Sequence, residues 1–373
     1  CTWCLRPPKI GKTMKSNNIA YEPRLDHLRF LAAMLVFLFH WYHIFHGNWK
    51  TTPQFHGLGW LTDGYTGVSL FFVLSGYLLM SIAIHANGGI KWKLFVANRV
   101  LRIFPLFSFI FFVALSLTRD KFRPENLLYF LTTNIGLTAP TSDHFITGAA
   151  WTISVEFTFY LIFPFLALFS IKEGVAYLIR LIFLLAIFKV GGYFIVERAN
   201  LMFYSTLLGR LDQFLVGMLA AQIFPLIKNY KSSTGLLVVS IFGMLSLIEV
   251  QAYFASFLSG VQKHPTWIFW PTIEAVAWSS VILCYLTWKG GLPHVIAVNL
   301  EKGAKISFSM YLWHAVIIFI FQQIPLLDML DNHKKIYMLI SLAACLSCTL
   351  FVSSVSYKTI ELPFLLLRKK YTN

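Results

Sequence analysis

Phe30-Leu31-Ala32-Ala33-Met34-Leu35-Val36-Phe37-Leu38-Phe39-His40-Trp41-Tyr42-His43-Ile44 contains no aspartate, glutamate, lysine or arginine. One uncharged apolar run of this kind is compatible with a buried helix, but here the pattern recurs at Val68–Ile84, Phe104–Leu117, Leu236–Ile248 and Ile336–Val355. Repeated runs are the mark of helices that cross a bilayer, where about 20 residues span a hydrocarbon core of about 30 Å. Composition agrees, with 57% of the 373 residues hydrophobic, 17% aromatic and 13% charged. An ordinary soluble domain carries roughly a quarter charged residues. The chain is therefore expected to be an all-α, polytopic membrane helix bundle.

Ten spans are expected, at 28–46, 64–85, 103–118, 151–170, 177–196, 207–226, 234–258, 266–288, 306–325 and 336–356. The first has a long apolar stretch with no small-residue cleavage site behind it, so it is not a removable signal. The division expected along the chain is an N-terminal extension at 1–20, a membrane domain at 21–363 and a basic tail at 364–373. Met14-Lys15 has the look of a natural start, leaving the first thirteen residues as an extension without a function.

The net charge of +15, from 31 Lys and Arg against 16 Asp and Glu, raises the question of nucleic acid. Its distribution argues against such a partner, because the basic residues flank apolar spans and no nucleic-acid-binding motif is present. With the N-terminus inside, 21 Lys and Arg fall on the inner side and 9 on the outer. Both ends are thus expected in the cytoplasm. The longest outer segment, 119–150, is polar and is a candidate entrance or lid. Cys284, Cys345 and Cys348 lie in apolar runs as small hydrophobes, and Cys1 and Cys4 form a lone CxxC with no second pair. No metal site is expected.

Ionisable groups inside a bilayer are costly, so each is either a functional candidate or half of a structural pair. Arg29 and His40 are eleven residues apart, on one helix face and roughly 16 Å apart along the axis. Asp26 lies one turn before Arg29 and is its expected partner. Taken alone, Arg29 is also explained as an inner-side anchor and His40 as an interfacial residue. Arg99 and Arg102, ahead of Pro105, are neighbours on a helix face and suited to gripping a phosphate. Glu156 enters from the outside to about the depth of His40, so the two are expected to meet, the carboxylate fixing the tautomer of a general base. Span 2 mixes small with bulky residues around Ser75 and Gly76, the pattern of close helix approach. Arg210 and Asp212 open span 6 as a self-compensating pair, and His314 sits near mid-membrane in span 9, where packing is the ordinary role.

Taken together, these segments resemble the membrane acyltransferase-3 family of integral-membrane O-acyltransferases. The resemblance runs from about Tyr21 through Arg24-Leu25-Asp26, Arg29 and His40, then Phe71-Phe72-Val73-Leu74-Ser75-Gly76-Tyr77 and Arg99-Val100-Leu101-Arg102. It continues through Trp151 to Tyr160, Gly209 to Gly217, Ser307 to His314, and Ile360-Glu361-Leu362-Pro363. It implies ten membrane helices and transfer of an acyl group, commonly acetyl from acetyl-CoA, to a carbohydrate hydroxyl. It also implies functional roles for Arg29, His40, Arg99 and Arg102. Tyr160 and Tyr311 join Asp26, Ser75, Arg210, Asp212 and His314 as supporting candidates. Many family members carry a further hydrolase-like domain, which is not expected in a chain ending at Asn373.

On this basis acetyl-CoA is the expected donor, its phosphates held by Arg29, Arg99 and Arg102. His40 with Glu156 would serve as general base or as transient acyl carrier. A glycan or lipid-linked saccharide in a bacterial inner membrane, such as lipopolysaccharide O-antigen, is the expected acceptor, and a macrolide-type small molecule the alternative. Two other classes are weighed. A transporter or flippase has no support from inverted repeats or paired broken helices. A metal or haem protein using His40, His43 and His46 would need ligands that instead turn progressively around one helix.

Overall fold

The computed structural model describes residues 18–45, 57–117, 119, 145–254, 263–324 and 334–372. The N-terminal extension up to residue 17 with Cys1 and Cys4, His46, and the lid candidate apart from 119 and the backbone of 145–150 lie outside the described residues. The chain builds α1 (Pro23–Phe45), the short α2 (Gly59–Thr62), α3 (Thr66–His85), α4 (Trp92–Leu117), α5 (Phe145–Glu173) and α6 (Val175–Ile195). Then follow the short α7 (Ala199–Ser205), α8 (Leu207–Ile227), α9 (Thr234–Phe254), α10 (Trp270–Thr287), α11 (His294–Gln322) and α12 (Lys334–Ser356). A π turn at Tyr357–Glu361 leads into α13 (Leu362–Leu366). Among the described residues there is no sheet, only two isolated bridges, Ile90 with Thr372 and Ser232 with Trp288.

Each expected span corresponds to a long helix. Nine are long and apolar enough to cross a membrane; the tenth, α10, has 18 residues and buries Glu274. Two helices begin well before the expected spans. Helix α4 starts at Trp92 rather than 103, and α11 at His294 rather than 306. Their first three turns carry Lys93, Arg99 and Arg102, and Glu301, Lys302 and Lys305, which hide them from a hydropathy criterion, and Pro105 lies within α4. A transmembrane helix tolerates such a proline because neighbouring groups satisfy the freed carbonyl.

Helix α3 is central and α6 peripheral: 72% of the apolar window of α3 is buried, against 17% for α6. Phe183, Phe194 and Ile195 on α6 are more than two-thirds exposed, as expected of side chains that meet lipid tails. Helix α3 crosses α8 backbone to backbone. A Cβ on Gly76 would run into the Phe214 carbonyl oxygen, and one on Gly217 into that of Val73. The small residues of span 2 therefore mark close approach, as expected.

One end of the bundle is knitted by its turns. The Arg24 guanidinium donates to the carbonyls of Tyr285, Leu286, Trp288 and Gly290 at 2.8–3.0 Å. It thereby caps the C-terminus of α10, where carbonyls lack intrahelical partners and the helix dipole favours a cation. Ser232 bridges to Trp288, and Tyr371 accepts a backbone hydrogen bond from Lys91 at 2.8 Å. The turn between α3 and α4, the turns after α8 and α10, the start of α1 and the segment after α13 thus lie together.

Candidate active site

From this knitted end a cavity of about 970 Å³ enters the bundle. Its mouth is lined by Asp26, Arg29, His85, Arg99, Arg102 and Arg368, and its far end by Val68, Phe71, Thr152 and Tyr311. Along α3 it runs from His85 to Val68, roughly 25 Å at 1.5 Å per residue. It therefore passes through most of a hydrocarbon core about 30 Å thick.

The three arginines named from sequence meet at this mouth. Arg29 donates to Asp26 at 3.0 Å, the i, i+3 pair expected. Arg99 is held between the rings of Phe95 and Tyr160, with its guanidinium carbon 5.2 Å from each centroid. Its Nη2 donates to the Tyr371 hydroxyl at 3.4 Å, while its Nε is buried without a hydrogen-bond partner among the described residues. Arg102 lies over Phe308 at 5.9 Å. Among the described residues, no carboxylate oxygen comes within 4.0 Å of Arg99, Arg102 or Arg368.

Glu156 lines the same cavity but has a different partner from the one expected. It accepts hydrogen bonds from Ser75 at 2.8 Å and from the Tyr160 hydroxyl. Ser75 is informative by contrast with Ser81 and Ser116, whose hydroxyls bond back to the carbonyl four residues earlier. That back-bonding is the default for a helical serine, whereas Ser75 reaches across to another helix. Arg99, Tyr160, Glu156 and Ser75 form one polar line along the wall. Deeper, Thr152 on α5 and Tyr311 on α11 join their hydroxyls at 2.7 Å, and the Phe71 ring meets that of Tyr311 edge-on at 5.8 Å.

His40 does not line this cavity. Its partner is His314, three residues beyond Tyr311 on α11, with ring centroids 4.7 Å apart and His314 Nε2 at 3.3 Å from His40 Nδ1. His40 Nδ1 also lies 2.8 Å from the Val36 carbonyl. A carbonyl can only accept, so Nδ1 carries the hydrogen and the neutral ring keeps its lone pair on Nε2. His314 Nε2 is then an acceptor toward His40, which puts the His314 hydrogen on Nδ1, a buried atom with no partner among the described residues. The histidine pair stands one helical turn past the end of the cavity, behind Tyr311.

The acyltransferase domain model of the acyltransferase-3 family matches residues 22–358. The chain belongs to that family. Among curated relatives it is 26% identical, over 378 residues, to the O-acetyltransferase OatA of Staphylococcus aureus strains NCTC 8325 / PS 47, COL and MRSA252. Each alignment covers 94% of this chain and 58% of the relative, so the chain spans somewhat over half the length of these relatives. No solved structure matches it. With nine helices long enough to cross a membrane among the described residues, this family member is a multi-pass membrane protein.

A second polar cluster lies nearer the opposite end of the bundle. Arg210 and Asp212 do not pair with each other, because positions i and i+2 face different sides of a helix. Asp212 instead binds Lys189 at 2.7 Å and accepts from Thr272. Arg210 lies 3.8 Å from Glu274 and donates from Nε to the Tyr204 carbonyl at 2.7 Å. Its guanidinium carbon is 4.9–6.0 Å from the centroids of Tyr204, Trp151 and Trp267. Glu274 also accepts from Thr66, Ser69 at 2.6 Å and Gln213 at 3.2 Å. Lys189, Arg210, Asp212 and Glu274 are each 1% exposed. Lys189 and Glu274 are lone charges inside apolar runs, so the rule that singled out Glu156 applied equally to them. His43, a turn beyond His40, lies 2.8 Å by Nε2 from the Thr62 carbonyl, a packing contact.

Proposed function

We propose that the chain transfers an acetyl group from acetyl-CoA, bound from the cytoplasm, to a hydroxyl of a cell-surface glycan presented on the far side of the inner membrane. The observation that carries this reading is the cavity. Its mouth holds Arg99, Arg102 and Arg368, none with a carboxylate in contact among the described residues, and its depth stops one turn short of a histidine whose lone pair is on Nε2. Family membership and the O-acetyltransferase relatives supply the reaction class.

Each part of the donor has a counterpart in the site. Arg29, Arg99 and Arg102 are placed for the phosphates of coenzyme A through charge-assisted hydrogen bonds, and a guanidinium offers several donors in fixed geometry. The pantetheine arm follows the wall past Tyr160, Glu156 and Ser75, whose polar groups suit its amides. The thioester then reaches Thr152 and Tyr311, and a side-chain movement at Tyr311 or Phe71 brings its carbonyl to His40. There Nε2 takes the proton of the glycan hydroxyl and the oxygen attacks the thioester carbonyl. The carbon–sulfur bond breaks, and the proton passes from the imidazolium to the departing coenzyme A thiolate. His314 orients the His40 ring and shares its Nδ1 hydrogen. The excess of Lys and Arg that the sequence assigns to the inner side supports the arginine-lined end as the cytoplasmic one.

The acceptor proposed first is lipopolysaccharide O-antigen. The test is mass spectrometry of surface polysaccharide from cells with and without the gene, complemented by the His40→Ala variant. One acetyl increment per modified sugar, present only with the wild-type gene, is expected. An unchanged polysaccharide in the presence of acetyl-CoA turnover overturns the acceptor, and full acetylation by His40→Ala overturns the role of His40.

A further inference from the structure

The segment following α13 carries Arg368, Lys369 and Lys370, which ordinarily would read as a solvated basic flank. Instead it is strapped across the first turns of α4. The Asn98 amide makes two hydrogen bonds to the backbone of Lys369, donating from Nδ2 to the carbonyl at 2.6 Å and accepting from the amide nitrogen at 3.0 Å. The side chain thus mimics one rung of a sheet. Lys91 donates to the Tyr371 carbonyl at 2.8 Å, Thr372 bridges to Ile90, and Tyr371 donates to Asn18 Oδ1 at 3.2 Å. Tyr371 is 2% exposed, its ring 5.3 Å from that of Phe95.

Strapping the segment down places Arg368 in the cavity mouth beside the two arginines of α4. Its Nε donates to the Leu365 carbonyl at 3.1 Å, which anchors the guanidinium at one edge while the side chain lines the cavity mouth. Burial, with Arg102 and Arg99 close by, brings Arg368 down to about 10. Three guanidinium groups gathered in a partly buried recess, with no carboxylate in contact among the described residues, are mutually repulsive, and Arg99 in addition leaves a buried Nε–H without an acceptor among those residues. Such an arrangement is stabilised by a polyanion, and several phosphates on one ligand answer it best.

We propose that Arg368, held in place by the Asn98 and Tyr371 contacts of its strap, is the third arginine of a phosphate cradle with Arg99 and Arg102, and reads the phosphate-bearing part of the acyl donor. The inference rests on the acyl-transfer reading and adds to it a donor-selecting residue supplied from outside the helices. Arg368 binds ligand directly, and Asn98 is a positioning residue.

The test compares two donors with purified full-length protein: acetyl-CoA, and S-acetyl-pantetheine, which bears the same thioester arm without phosphates. Arg368→Gln is expected to raise KM for acetyl-CoA about 10- to 100-fold, the weight of lost hydrogen bonds between charged groups, with kcat little changed. KM for S-acetyl-pantetheine should not move. Asn98→Ala should shift KM in the same donor-selective way by a smaller factor, and Arg368→Lys should restore part of the loss. An Arg368→Gln enzyme with unaltered KM for acetyl-CoA, or with equal losses on both donors, overturns the proposal. A wild-type protein that turns over neither donor contradicts the acyl-transfer reading itself, and the cradle falls with it.

Discussion

The two polar clusters are built from the same residue types and end in opposite states. In the cluster on α6, α8 and α10, two cations and two carboxylates are almost completely buried, and each charge meets its opposite within the protein. At the cavity mouth the arginines are half-buried and, Arg29 apart, have no carboxylate in contact among the described residues. Taking a charge out of water is costly unless it is paired and hydrogen-bonded. The first cluster meets that cost from within and needs no ligand, so it fixes how α3, α8 and α10 pack. The second leaves the cost open for something that arrives. Charge inside a membrane protein thus marks a site when it is unbalanced and scaffold when it is balanced.

The contrast can be broken by substitutions on either side. His40→Ala should lower acetyl transfer by about 10²- to 10⁴-fold, the range of general acid–base catalysis, while the protein elutes as a folded species in detergent. Asp212→Ala leaves the Lys189 ammonium buried and alone, and should cost about 3–5 kcal/mol of stability. Thermal unfolding would show this, and the paired change Lys189→Met with Asp212→Leu should recover most of the loss. Arg99→Ala should raise KM for acetyl-CoA about 10- to 100-fold with the folded protein retained. The smallest effects come from one serine in each cluster. Ser69→Ala removes a donor to buried Glu274 and should cost about 1–2 kcal/mol. Ser75→Ala, on the cavity wall, should leave unfolding temperature unchanged and shift only the kinetic constants. If Ser69→Ala altered turnover and Ser75→Ala altered stability, the division between scaffold and site would be reversed.

Much of the fold is legible in the sequence because hydropathy alone locates spans. What it misses is the polar ends of α4 and α11, where Trp92–Arg102 and His294–Lys305 are helical without being apolar. The site divides along a similar line. Position along a helix can be counted, so Arg29, Arg99 and Arg102 are correctly expected at one end of the bundle and His40 about 16 Å deeper. Direction around the helix depends on which neighbours pack where. Glu156 stands eleven residues into α5, which begins at Phe145 rather than 151, so it lies on the mouth side of Thr152, short of the level of His40, and faces Ser75 and Tyr160, while His40 faces His314. The i, i+2 geometry of Arg210 and Asp212 was sufficient to exclude their pairing. Arg368 gives no local signal, since its place in the cavity depends on Asn98, some 270 residues earlier.

The central claim is that the donor is held at the cavity mouth and acyl transfer takes place at the histidine just past the far end, and binding of radiolabelled coenzyme A measured beside acetyl transfer in the same preparations tests it most directly. His40→Ala is predicted to bind coenzyme A as tightly as the wild type while transferring almost nothing, and Arg99→Ala to bind it far more weakly. Wild-type transfer by His40→Ala, or undiminished binding by Arg99→Ala, would contradict the account.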